Sequence, residues 1–317
     1  MGNRDAPTPL VATALRAFGI DDPRATLDDI PWAHETAVFQ ALDRRFRVRT
    51  TDLLLGHHVE DMFAAMRIDP DDPTAQTDCY SMFAVTHDHT AIYRDDDELY
   101  WSSRPAIVLE RLIWDVNQHA IRSQERWVKL HAGVVDRDGV GVVLAAPMES
   151  GKSTLTAGLV LRGYRYLSDE VAAIRVGDGR VDAYPKPLGL DPGSWPLLPE
   201  FAPDREGLEK YSVNQWQVPP RRFPGGTATE TTPHVVVLPT YDRGGGTKLI
   251  ALASAAVATA ALSTCAFTGQ QARAGSLQVL ARVASSAACY RLQHDDLAAA
   301  CEAIDEVVSG VASERLA

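Results

Sequence analysis

The stretch Leu130–Glu170 reads LHAGVVDRDGVGVVLAAPMESGKSTLTAGLVLRGYRYLSDE, and its short apolar runs punctuated by glycines decide the fold class. Leu130 to Val135 and Val140 to Leu144 are strand-like runs around the turn Asp136-Arg137-Asp138-Gly139. The first run alternates and the second is continuously apolar, which predicts a hairpin leading into a strand buried on both faces. Ala145 to Ser150 then form a loop that enters Gly151-Lys152-Ser153-Thr154, and a helix is expected to about Arg162, where Gly163 supplies a stop. Tyr164 to Leu167 reads as the next strand, ending at Ser168-Asp169-Glu170.

A strand, a loop, Gly-Lys-Ser and a helix make the context in which backbone N–H groups and a helix N-terminus cradle phosphates. Ser150, Gly151, Lys152, Ser153 and Thr154 are therefore the candidates for binding ATP, with Lys152 on the outer phosphates and the Ser153 hydroxyl on Mg²⁺. The match to G-x-x-x-x-G-K-[ST] is incomplete. Ala146 stands where the first glycine is expected, Pro147 stiffens the loop, and Glu149 brings a carboxylate beside the phosphates. Taken alone, the string is also compatible with a helix that happens to begin Gly-Lys-Ser-Thr.

Outward from this centre, the chain before it carries a helix at Leu10 to Phe18, strands at Phe46 to Thr50 and Met82 to Thr86, a hairpin from Thr90 to Trp101, and a helix from Ala106 to Val116. After it come a strand at Val171 to Val176 and a Pro/Gly-rich shaped loop from Tyr184 to Trp195. A strand follows at His234 to Leu238, then alanine-rich helices near Ser254 to Leu262 and Leu277 to Ala288. A strand at Cys289 to Leu292 and a helix at Asp295 to Val307 close the chain. The expected organisation is a small N-terminal α+β domain over 1–126 and an α/β domain with a mixed sheet over 127–317.

The full chain has 317 residues and a formal net charge of −11, which argues against a mainly electrostatic grip on nucleic acid or anionic lipid. Its 45% hydrophobic and 23% charged residues are those of a globular protein. Four cysteines without a CxxC pair fit a reducing cytosol, and no apolar tract is long enough to span a bilayer, so a cytoplasmic protein is expected. His57-His58 with Glu60-Asp61, and His87-x-His89, lack a third separated ligand and read as surface features. Arg221-Arg222 reads as a solvated loop or as a basic clamp over substrate.

The Leu130–Glu170 segment resembles the catalytic core of HPr kinase/phosphorylase and the looser group of HPr kinase-like kinases of natural-product peptide clusters. In that family a histidine opens a strand pair, the phosphate loop follows, a helix ends in Arg-Gly, and two acidic residues come next. Here these are His131, the loop ending at Lys152-Ser153, Leu161-Arg162-Gly163-Tyr164, and Asp169-Glu170. The loop at Tyr184 to Leu188, Gly193-Ser194-Trp195 and the Tyr-Arg-Leu near Tyr290 also look like this group. Ala146 and Glu149 replace family glycines, and Glu170 replaces the second aspartate.

The resemblance implies a P-loop kinase that uses ATP and Mg²⁺ to phosphorylate a hydroxyl, on a serine of a peptide or on a natural product. It implies Asp169 as the catalytic base, His131 directed at the phosphate site, and Glu170 with Ser153 on the metal. Lys186 and Arg243 are further candidates for holding the phosphoryl group or the substrate. It also implies that homo-oligomers are common, although no heptad pattern demands one. Two other classes stay open: a nucleotide-binding or partner-binding module with a degenerate loop, favoured by Ala146 and Glu149, and a simple P-loop ATPase.

Overall fold

The computed structural model describes residues 8–69, 75–122, 126–147, 150–267 and 275–316. The chain divides into two compact units, Met1–Arg122 with Pro203–Gln215, and Ser123–Ala202 with Trp216–Ala317. The architecture is mixed α/β, with seven α-helices among the described residues.

The first unit is built on a six-stranded sheet. Its strands are β1 (His34–Glu35), β2 (Phe39–Ala41), β3 (Arg44–Thr50), β4 (Thr77–Thr86), β5 (His89–Arg94) and β6 (Asp97–Ser102), ordered β1-β3-β4-β5-β6 with β2 also on β3. Helices α1 (Pro9–Ala17), α2 (Leu53–Met62) and α3 (Pro105–Arg122) accompany it. Helix α2 lies where sequence periodicity suggested nothing, capped by Asp52, whose carboxylate accepts from the Leu55 N–H at 3.1 Å. It separates the two histidines read as surface residues: His57 is exposed, whereas His58 is buried with its ring stacked 6.3 Å from that of Tyr211. The segment 203–215, expected within the C-terminal region, belongs to this unit. Lys210 and Tyr211 both donate to Asp52, and Asn214 sits between Arg104 and Glu110.

The second unit carries a nine-stranded mixed sheet. Its strands are β7 (Trp127–Arg137), β8 (Val140–Ala145), β9 (Arg165–Ser168), β10 (Val171–Arg175) and β11 (Val181–Asp182), then β14 (Glu230–Thr231), β15 (Pro233–Tyr241), β16 (Lys248–Ala251) and β17 (Ala288–His294). A separate pair, β12 (Leu188–Leu190) with β13 (Trp216–Val218), lies beside it. The order is β14-β11-β10-β7-β8-β15-β17-β16, with β9 also on β7. β8, β15 and β17 are mutually parallel, so their C-terminal ends share one edge.

The unbroken apolar run of β8 is explained by burial on both faces. Val140, Val142 and Leu144 enter one core, with residues of α4 (Lys152–Leu161) and α7 (Leu297–Leu316). Val143 and Ala145 enter the other, with α5 (Ala255–Thr264) and α6 (Ser276–Ser286). The polar edges are fastened by two carboxylates. Asp305 of α7 accepts from Arg137, Arg162 and Tyr164 at 2.7–2.9 Å, and buried Asp136 accepts from Arg165, Thr231 and the Gly139 N–H. Arg222, one of the two arginines that follow Pro219-Pro220, donates to the carbonyls of Glu200, Phe201 and Ala202, which ties these two segments together.

β7 is the long strand of this sheet, and it organises the site. Its first half pairs with β10, with His131 opposite Val171, and its second half pairs with β9 on the same side, with Val134 opposite Ser168. The chain therefore runs along β7 through β9 and β10 and bends at Asp169-Glu170, where the Ala132 N–H still donates to the Glu170 carbonyl at 3.1 Å. Between these two pairings stands Gly133. A Cβ on it would lie 2.3 Å from Oγ1 of Thr156, so the glycine lets α4 settle directly onto the strand.

Candidate active site

Gly151 is the N-cap of α4 and adopts the left-handed conformation, φ +83°, that glycine takes without steric cost. The first N–H groups of α4 have no acceptor within the helix and carry the positive end of its dipole. Lys152 opens the helix with its side chain buried, and its Nζ donates to the Pro147 carbonyl at 2.6 Å and approaches Ser150 Oγ at 3.4 Å. Ser150 Oγ donates to the same carbonyl at 2.9 Å. Ser153 and Thr154 are half-buried in the first turn, and Thr154 Oγ1 lies 2.6 Å from Ser194 Oγ, which fastens the helix start to the loop that bears Trp195. Trp195 stacks on Trp216 with ring centroids 4.7 Å apart and planes within 3°. Ala146 is buried, and Glu149 lies outside the described residues.

Asp169 is 2% exposed and both its oxygens accept hydrogen bonds: Oδ1 accepts from Lys186 Nζ at 2.7 Å and from the Tyr166 hydroxyl at 2.8 Å, and Oδ2 from the Gly189 N–H at 3.2 Å. Lys186, expected to face the substrate, is instead buried against Asp169, because the Tyr184 to Leu190 loop folds over the bend after β9. The bend frees Asp169 and Glu170 from the alternation of a regular strand, on which two adjacent residues face opposite sides and could not both serve one site. Glu170 keeps its carboxylate partly exposed and brings Oε1 to 3.5 Å from Nε2 of His131.

Electrostatic coupling ties these groups together. Burial pushes the His131 pKa down to about 4, with the positive charges of Lys152 and Lys186 adding to the shift and Asp169 opposing it. The imidazole is therefore neutral near pH 7, and its approach to Glu170 is a contact between a neutral ring and a carboxylate. Burial also lowers the Lys152 pKa, against the pull of Glu170, Cys265 and Asp169. Tyr184, missed by sequence reading, is fully buried beside these carboxylates; among the described residues its hydroxyl has no hydrogen-bond partner, and burial followed by Glu170 and Asp169 drives its pKa upward.

The fold thus brings His131, Lys152, Asp169, Glu170 and Lys186 into one electrostatic neighbourhood beside the start of α4. Arg243 does not join them: it is exposed in the turn after β15, and among the described residues nothing links it to Asp169 or Lys152. Tyr166 and the Gly189 N–H were invisible in the sequence because their role depends on where the proline-rich loop lands.

No protein-family model matches the chain, and no curated protein matches it. Among solved structures, it is similar to the Hpr(Ser) kinase/phosphatase from Coxiella burnetii, at 16% sequence identity and a TM-score of 0.23. That alignment covers 37% of this chain and 60% of the other, so the chain spans about three fifths of the length of that enzyme. Among the described residues no helix is long and apolar enough to cross a membrane.

Proposed function

We propose that this protein is an ATP-dependent phosphotransferase that acts on a hydroxyl acceptor, a serine of a peptide or a natural-product hydroxyl. One observation carries the reading: a neutral His131, a buried Lys152 at a left-handed glycine cap and the Asp169-Glu170 bend influence one another at the start of one helix. Phosphoryl transfer needs positioned phosphates, balanced charge and a carboxylate for the attacking hydroxyl, and those residue types meet the three needs.

In this reading the N–H groups of Gly151 to Thr154 and the Lys152 ammonium hold the β- and γ-phosphates. Lys152 leaves the Pro147 carbonyl to do so, a short movement for a side chain already at the loop. The Ser153 hydroxyl and Glu170 carboxylate are hard oxygen donors, and two protein oxygens are an ordinary complement for magnesium, which neutralises charge on the phosphates when bound. Asp169 accepts the proton of the acceptor hydroxyl, and Lys186 with Tyr166 holds the carboxylate in orientation. His131 contacts the transferred group as a neutral donor.

The test is mass spectrometry of the full chain with ATP, Mg²⁺ and a mixture of peptide and small hydroxyl acceptors, beside Lys152→Ala and Asp169→Asn. A gain of one phosphoryl group that both variants lose supports transfer; full transfer by Asp169→Asn removes the assigned base. The three donors already on Asp169 favour a second reading, a nucleotide-binding module without transfer. ATP binding with no product across the panel would favour it, and rapid acceptor-independent phosphate release would favour an ATPase.

A further inference from the structure

β17 ends at His294, and its parallel register with β15 sets His294 opposite Tyr241, on the same sheet edge from which β8 delivers the loop to α4. His294 is 5% exposed and its ring packs edge-on against Tyr241, with centroids 5.8 Å apart at 71°. Its outer edge is turned to the helix cap: Cε1 and Nε2 are the atoms nearest the Cβ position of Gly151, at 3.7 and 3.8 Å. Nε2 is buried and, among the described residues, has no hydrogen-bond partner.

A buried ring nitrogen without a partner carries an uncompensated desolvation cost, and such atoms in native structures call for a reason. Two sets of donors meet here, the N–H groups of the first turn of α4, which no carbonyl of their own helix can reach, and the Nε2 of His294, and an anion seated at the cap answers both. Burial lowers the pKa of the imidazole, which leaves a neutral ring able to present an N–H without adding a buried charge.

We infer that His294 is a ligand-contacting residue of this site, donating from Nε2 to a phosphoryl oxygen of a nucleoside di- or triphosphate held at the N-terminus of α4. The assignment rests on the nucleotide-binding part of the reading proposed above and adds a contact from the far end of the sequence. It concerns the phosphate chain rather than the base, so ATP, ADP and inorganic pyrophosphate all draw on it and adenosine does not.

The test is calorimetric titration of the full chain with ATP, ADP, pyrophosphate and adenosine, comparing wild type with His294→Ala and His294→Gln. The expected result is a Kd raised about tenfold to a hundredfold in His294→Ala for the three phosphate ligands, the range for a hydrogen bond to a charged group. His294→Gln, which keeps an N–H of similar reach, recovers most of that loss, a rescue that mere packing would not produce. Phosphate ligands bound by His294→Ala as tightly as by wild type, with the fold intact by thermal melting, would overturn the assignment alone. Wild type that binds none of the three overturns the nucleotide reading and the assignment together. Should His294→Ala fail to fold, the His294 ring nitrogen resonances of ¹⁵N-labelled wild type decide: a shift of Nε2 on adding pyrophosphate supports the contact, and an unmoved resonance with pyrophosphate bound excludes it.

Discussion

Nζ of Lys186 stands 2.7 Å from Oδ1 of Asp169, and both side chains are all but removed from solvent. The pair bridges the bend after β9 and the proline-rich loop, so the loop and the carboxylate share one position. Removing one partner strands the other charge in a place water does not reach. Lys186→Met is expected to lose about 3–5 kcal/mol of stability, seen as a lower urea midpoint. Adding Asp169→Asn should restore part of it; a Lys186→Met variant as stable as wild type would show that the charge is not confined.

Acid sensitivity follows from His131. Its folded-state pKa of about 4 lies below the unfolded value near 6.5, so the unfolded chain binds the extra proton first as the pH falls. The stability contribution is complete above about pH 6.5 and is lost on the way down to about pH 4. Discounted for partial exposure, it amounts to roughly 1–3 kcal/mol. His131→Gln should flatten the decline in unfolding free energy between pH 7 and pH 5. An unchanged slope would place the acid sensitivity elsewhere.

The contact of Gly133 with Thr156 predicts a non-additive pair. Gly133→Ala forces a methyl group to within 2.3 Å of Thr156 Oγ1 and should cost about 1–3 kcal/mol by overpacking. Thr156→Ala removes the opposing hydroxyl, so the double variant is expected to be more stable than the sum of the two single losses allows. Simple additivity in thermal melts would mean that α4 moves away from β7 freely.

Glu170 gives a readout that separates metal handling from folding. On the proposed reading, Glu170→Gln removes one charged oxygen donor and should raise the Mg²⁺ concentration for half-maximal transfer by about tenfold, with little change in melting temperature. Equal Mg²⁺ dependence in variant and wild type would take Glu170 out of the metal's coordination.

The strand–loop–helix around Gly151 was legible because all its determinants are local: a continuous apolar run, a glycine that tolerates positive φ, and helical spacing that ends at Gly163. The bend at Asp169-Glu170 was legible as a strand end. Lys186 was singled out for its charge, but its partner was set by where a loop rich in proline comes to rest. His294 arrives through strand order, and parallel pairing leaves no short-range mark in a sequence. Helix α2 escaped notice because Leu53-Leu54-Leu55-Gly56-His57-His58 shows no clean apolar stripe, and its cap, Asp52, is bound by residues more than 150 positions later.

β7 pairs along its length with β10 and β9 on one side and β8 on the other, and this double pairing fixes how the gene can change. A substitution in β7 alters one side chain. One inserted or deleted codon between His131 and Val134 would turn every later side chain to the opposite face, separating the histidine from the acidic bend and Gly133 from α4. Descendants of this sequence can lengthen the turns at Gly177–Gly179 or Asp242–Gly246 without such loss. Within β7 a change of length has no such outlet, and related sequences should align there without a single gap.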